Sequence, residues 1–191
     1  MDDGEREIEF TRVDEALVRR ACEVVALADQ HGLSIVTAES CTGGLLAAVL
    51  SEAPGASEHL HGGFVTYTKA QKTAALGVPA DLLARQGAVC REVAAALAWG
   101  ALDRSPADIA VAITGVAGPT PDEDGNPVGL MHFAAARRGG PTLHCERRLG
   151  DIGRGKARYA AVQEALALLA DVIAGKEPAQ PAPDQMLSTR P

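Results

Sequence analysis

Ser40 stands in the run Ala38-Glu39-Ser40-Cys41-Thr42-Gly43-Gly44, directly after the β-branched stretch Leu33-Ser34-Ile35-Val36-Thr37-Ala38 and before a helical pattern over Leu45 to Leu50. A serine at a strand-to-helix turn can attack a carbonyl carbon. Glycines just after it let the backbone turn tightly, and exposed N–H groups at the helix start can hold the oxyanion. The same residues would also serve as a plain helix N-cap, with Ser40 or Thr42 capping and glycine supplying the turn. The run is not GxSxG, and His59, His61, His132 and His144 fall in no triad pattern, so a serine nucleophile here needs a different base. A lysine can fill that role when burial lowers its pKa toward neutrality.

Two lysines are at hand in Thr66-Tyr67-Thr68-Lys69-Ala70-Gln71-Lys72, at the end of a second strand candidate, Gly63 to Tyr67. Tyr67 and a nearby lysine can relay a proton to and from a serine, or simply mark the solvated start of a helix. Lys69 and Lys72 lie three apart, on one face of any helix they share, so their repulsion should help depress a lysine pKa. A third cluster, Thr114-Gly115-Val116-Ala117-Gly118-Pro119, follows a buried strand and suits close approach of a phosphate or ribose, although it is not a P-loop. Arg154, Lys156 and Arg158 are the densest positive charge in the chain and suit a phosphate, or ordinary surface.

The elements that must position these residues alternate. Helical spacing runs over 14–30 with Leu17, Ala21, Val24, Val25 and Ala28 inward and His31-Gly32 as a stop. Further helices are expected over Lys69 to Leu76, Glu92 to Leu102 and Gly155 to Ala174. Ile109 to Ile113 is apolar almost without a break, as a strand covered on both faces would be, and Val128 to Ala136 and an edge strand, Leu143 to Leu149, follow it. The expected fold is a single-domain three-layer α/β/α sandwich with a mixed, mostly parallel sheet, whose ligands gather where strands end and helices begin. The domain is placed at 14–175, between an acidic N-terminal extension over 1–13 and a Pro-rich mobile tail over 176–191.

With 191 residues the chain can bury a full core, and 47% hydrophobic against 23% charged residues excludes a disordered chain. Eighteen basic against 25 acidic residues, a net charge of -7, disfavours a nucleic-acid partner. Seven acids and two arginines in 1–15 account for most of that excess, so the body can still hold a pocket for a small anion. No apolar run is long enough to span a membrane. Cys22, Cys41, Cys90 and Cys145 form no CxxC pair, and with no apolar leader the natural setting is a reducing cytoplasm. The alanine-rich face Ala94 to Ala98 suits either a second copy in a homo-oligomer or the sheet.

Taken together, the segments resemble the C-terminal domain of the competence/damage-inducible protein CinA, which also occurs alone as nicotinamide-nucleotide amidohydrolase. The likeness rests on Thr37 to Gly44, Gly62-Gly63-Phe64-Val65-Thr66-Tyr67 with Lys72 five residues on, Leu76-Gly77-Val78 and Gly87-Ala88-Val89. It continues through Ile113 to Pro119, Pro127-Val128-Gly129 and Gly150-Asp151, covering about residues 15–170 in order.

That resemblance implies hydrolysis of the carboxamide of nicotinamide mononucleotide to nicotinic acid mononucleotide and ammonia, with neither metal nor cofactor. Ser40 matches the family's nucleophile, Tyr67 its active-site tyrosine and Lys72 its base. Thr114 and Gly115 match its substrate-binding turn, and Arg154 and Arg158 its two arginine positions. Cys41, Thr42, Gly43 and Gly44 complete the expected substrate-binding set, with the N–H groups from Cys41 to Gly43 on the oxyanion and Tyr67 orienting Lys72 or passing its proton to ammonia. Lys69 replaces the usual asparagine, Cys90 a serine and Asn126 a lysine, and the acidic loop 120–125 replaces a glycine-rich one. The large partner domain of many CinA proteins cannot fit into 15 residues, which points to the stand-alone form. The rival expectation is a non-catalytic nucleotide-binding or competence-related regulatory module, which would be expected to lack Ser40, Tyr67 or Lys72.

Overall fold

The computed structural model describes residues 14–176. The expected extension over 1–13 and the tail over 176–191, Lys176 apart, lie outside the described residues. In chain order the elements are α1 (Glu15–His31), β1 (Ile35–Glu39), α2 (Leu45–Ser51), α3 (Ala56–His59), β2 (Leu60–Val65) and α4 (Lys69–Leu76). They continue with α5 (Ala80–Gln86), α6 (Arg91–Asp103), β3 (Ile109–Gly115), β4 (Leu130–Arg137), β5 (Thr142–Arg148) and α7 (Arg154–Ile173).

The strands form one five-stranded sheet in the order β2-β1-β3-β4-β5. β1 pairs parallel with β2 and with β3, whereas β4 is antiparallel to both β3 and β5. Four strands therefore point one way and β4 alone runs against them, which makes the sheet mixed with a parallel core.

Alternation along β3 explains the layers. Ile109, Val111 and Ile113 join one core with residues of α1, α2 and α7, while Ala110 and Ala112 face the other, built on α4, α5 and α6. A run apolar at every position is what a doubly covered strand requires. The α6 side of the sheet is floored by small residues, Ala38, Ala110, Ala112, Ala134 and Ala136, so that helix packs closely. Ala94, Leu97, Ala98 and Ala101 fill the contact, so the alanine-rich face that could have met a second copy is buried against this chain's own sheet.

α1 begins at the Asp14 cap, which accepts from the Ala16 and Leu17 N–H groups, and ends at Gly32 in the left-handed conformation. Two short helices, α3 and α5, lie where no periodicity announced them, because α5 buries only Leu83 and α3 only Ala56. β2 begins earlier than the expected Gly63 to Tyr67. Gly63 lies inside the strand opposite Thr37, and a Cβ there would sit 2.4 Å from the Thr37 hydroxyl. Only a glycine allows that approach.

The chain leaves β1 over one face of the sheet and leaves β2 over the other, so the crevice at the carboxyl ends of β1, β2 and β3 is where an α/β sheet takes its ligands. Backbone bonds extend the ladder one residue past the strands: Ser40 N–H donates to the Ile113 carbonyl (3.1 Å) and Thr66 N–H to that of Glu39 (2.7 Å). Ser40, Thr66 and Thr114 are thereby set side by side.

Candidate active site

Beyond those strand ends lies a cleft of about 410 Å³ lined by Ser40, Tyr67, Lys72, Thr114, Gly115 and Arg154, among others. Its floor is a serine–lysine pair. α4 starts from the Thr68 cap, whose hydroxyl accepts from the Gln71 N–H, and the helix turns Lys72 inward until it is only 1% exposed. The Lys72 Nζ stands 2.8 Å from Ser40 Oγ and donates to the Thr66 carbonyl at 2.7 Å. Burial pushes the Lys72 ammonium down to about 8 from an ordinary 10.5. A neutral amine donating to Thr66 has its lone pair free for the serine proton, so one backbone carbonyl aims the base.

Lys69 does not take part in that depression, contrary to the repulsion expected from its spacing. Its Nζ turns outward to Asp124 Oδ1 (2.6 Å) and Glu123 Oε1 (3.0 Å). Those carboxylates raise the Lys69 pKa, Asp124 most of all. Three residues place two side chains on one helical face, but the first turn of α4 lets Lys69 reach the acidic loop while Lys72 enters the core. Lys69→Asn is therefore expected to leave the acidic limb of the pH–rate profile where it is; a shifted limb in kcat/KM against pH would restore the repulsive coupling.

Glu39 is a structural part of the site that its place in the serine motif did not disclose. Its carboxylate is fully buried and accepts from the N–H groups of Gly44 (3.1 Å), Leu46 (3.0 Å) and Ala47 (2.9 Å) and from the Thr37 hydroxyl (3.2 Å). It thus occupies the anion seat at the head of α2. An acid one residue before the serine, followed by glycines and a helix, is the signal that could have revealed it. Glu39→Gln leaves one acceptor oxygen where two shared four donors, and an expected loss of about 2–3 kcal/mol is measurable as a lower urea midpoint.

This changes the expected oxyanion donors. The Gly43 N–H is spent on the Ser40 carbonyl at 3.0 Å and that of Gly44 on Glu39, which leaves Cys41 and Thr42 as donors without a partner among the described residues. Thr42 is fully buried, and neither it nor Gly43 or Gly44 lines the cleft. Cys41 does, with its thiol donating to Met131 Sδ at 3.7 Å. Burial pushes that thiol up to about 11, so it is neutral and no rival to Ser40.

Tyr67 and the arginines also depart from expectation. Tyr67 is 56% exposed on the cleft wall, and its hydroxyl accepts from Arg154 Nη2 at 2.8 Å. It makes no hydrogen bond to Lys72; its hydroxyl is held at Arg154 instead. Arg154 also donates to the Gly118 carbonyl (2.9 Å) and lines the cleft. Arg158 lies behind the serine turn instead, donating to the Thr42 carbonyl at 2.6 Å. Of the two, Arg154 lines the cleft, while Arg158 is held by the serine turn. Thr114 is held by its hydroxyl to the Ala88 carbonyl (2.7 Å), and Gly115 stays in the wall. Cys90 is the N-cap of α6 and makes no side-chain capping bond. Among the described residues no three His, Cys, Asp or Glu side chains gather as metal ligands, and no helix is long and apolar enough to cross a membrane.

The model of the CinA C-terminal domain matches residues 18–173. A CinA-like protein of Akkermansia muciniphila is 47% identical over 148 residues, 78% of this chain and 36% of its own length. Another, from Mycolicibacterium vanbaalenii, is 46% identical over 144 residues, 75% of this chain and 34% of its own length. The chain thus spans about a third of the length of these curated relatives. Among solved structures, competence/damage inducible protein CihA from Agrobacterium tumefaciens superposes with a TM-score of 0.81 at 43% identity, covering 86% of this chain and 99% of the other. Competence damage-inducible protein A (ComA) from Klebsiella pneumoniae gives a TM-score of 0.80 at 34% identity, covering 84% and 99%.

Proposed function

The chain belongs to the CinA C-terminal domain family, and from that premise we propose that it hydrolyses the carboxamide of nicotinamide mononucleotide, releasing ammonia and nicotinic acid mononucleotide. The observation that carries this reading is the buried Lys72 amine 2.8 Å from Ser40 Oγ at the floor of a ligand-sized cleft. A lysine removed from water and brought toward neutrality costs the fold stability, and its place beside a serine supports the reading of a nucleophile with its base.

In the proposed mechanism Lys72 takes the Ser40 proton as Oγ bonds to the carboxamide carbon. The oxygen that gains charge is met by the N–H group of Cys41, the residue of the serine turn after Ser40 that lines the cleft. When the C–N bond breaks, the proton on Lys72 passes to the departing nitrogen and ammonia leaves. Water, deprotonated by the same lysine, then cleaves the ester and restores the serine. Arg154, anchored by Gly118 and Tyr67, is the cation placed for the phosphate of the nucleotide, and Tyr67 serves by orienting that guanidinium.

The test is ammonia release from nicotinamide mononucleotide by the purified protein. Turnover that persists in chelator supports the reading; binding without ammonia would favour the regulatory module instead.

A further inference from the structure

Lys69, Asp122, Asp124 and Asn126, separate in sequence, form one bonded unit beside the site. Asp124 Oδ1 takes Lys69 Nζ at 2.6 Å, and Asp124 Oδ2 takes the Ala88 N–H at 3.0 Å. The Ala88 carbonyl in turn takes the Thr114 hydroxyl, so a continuous chain of bonds joins the head of α4 to the end of β3. Gly87 makes room for the carboxylate: a Cβ there would sit 2.6 Å from Asp124 Oδ2, at a φ of +75°. Asp122 closes the corner from within, accepting the N–H groups of Asp124 and Asn126 and the Asn126 side-chain amide.

Charge is the consequence. Lys69, Arg154 and the carboxylates of residues 122–124 line the same cleft. Lys69 is matched by two of those carboxylates, whereas among the described residues Arg154 bonds a carbonyl and a phenol and no carboxylate. We propose that Asp124, with Glu123, masks the charge of Lys69 and so sets the anion selectivity of the cleft. Arg154 is left to hold one anionic group, and the acidic corner turns away ligands that carry a second. The inference rests on the anionic-substrate reading above and names its class, amides bearing a single phosphate rather than a pyrophosphate. Asp124 is a specificity-determining residue here, acting through Lys69.

Calorimetric titration with inorganic phosphate and inorganic pyrophosphate tests this without relying on turnover. Asp124→Asn keeps an acceptor for the Ala88 N–H but removes the carboxylate charge that offsets Lys69. It should bind pyrophosphate about fivefold more tightly than the wild type, the effect of freeing one cation at the cleft, with a smaller gain for phosphate. The Glu123→Gln/Asp124→Asn pair should gain more, and adding Lys69→Gln to Asp124→Asn should remove the gain. Pyrophosphate binding that is unchanged, weakened or undetectable in both Asp124→Asn and the pair overturns the proposal, as does a gain that survives Lys69→Gln. A protein that releases no ammonia but follows this binding pattern would defeat the amidohydrolase reading and leave the masking intact.

Discussion

Exchanging Lys72 for methionine is expected to end ammonia release and, at the same time, to make the protein more stable. The lysine is buried, and its pKa falls from 10.5 to about 8 because the charged form has lost its water. That displacement corresponds to about 3 kcal/mol against the folded state. The cost is present in full below about pH 8, where the folded lysine is still protonated. It fades between about 8 and 10.5, where the unfolded chain binds the extra proton, and is gone above. Methionine fills a similar volume without charge but leaves the Thr66 carbonyl without its donor, which returns about 1 kcal/mol. The net gain near pH 7 is about 2 kcal/mol, or about 5 °C in Tm for a domain of this size, and it should shrink as the pH is raised toward 10. Turnover should fall by at least about 10³-fold with the base removed. Thermal melts at pH 7 and pH 10 beside an ammonia assay check both halves. A variant that is less stable and still active would mean Lys72 holds the fold and not the proton.

Ser40→Ala removes a hydroxyl whose hydrogen-bond partner among the described residues is Lys72. Because Ser40 is a small side chain at 8% exposure, its loss costs little packing, and Lys72 keeps the Thr66 carbonyl. Turnover should drop by about 10³-fold or more, while the dissociation constant for nicotinamide mononucleotide stays within about threefold, since the attack and not the ground-state contact is lost. Stopped ammonia production together with calorimetric binding of the mononucleotide is the expected pair of results. A variant retaining more than a few per cent of the rate would remove Ser40 from the chemistry; nor is it the helix cap its sequence position also suggests, since Gly44 caps α2 without a side-chain bond.

The alternation of the chain shows plainly in its sequence because the two periods differ: β3 is apolar at every step, and α1 carries its buried residues at helical spacing. α4 is expected and found over the same residues, Thr68 at its start and Gly77 at its end. Ser40, Lys72, Thr114 and Arg154 fall around one cleft for a topological reason, since each follows or ends a strand, or heads a helix, at the same edge of the sheet. Direction is what spacing does not carry. Lys69 and Lys72 share a face, yet one meets Asp124, 55 residues away, and the other meets Ser40, 32 away. Long-range partners of this kind leave no periodic trace. The same holds for the serine turn, where Glu39 takes the N–H groups of Gly44, Leu46 and Ala47 at the start of α2 and leaves none of them to a ligand. Arg158 likewise reads as a second phosphate ligand until the turn it supports is seen.

The central claim is that a neutral Lys72 takes the proton of Ser40, and the pH dependence of kcat/KM for ammonia release from nicotinamide mononucleotide tests it most directly. With the Lys72 pKa at about 8, the rate constant should climb about tenfold for each unit of pH below that value and level off above it, following the fraction of free enzyme that holds the amine unprotonated. A profile that is flat from pH 6 to 9, or that falls as the solution becomes alkaline, would contradict it.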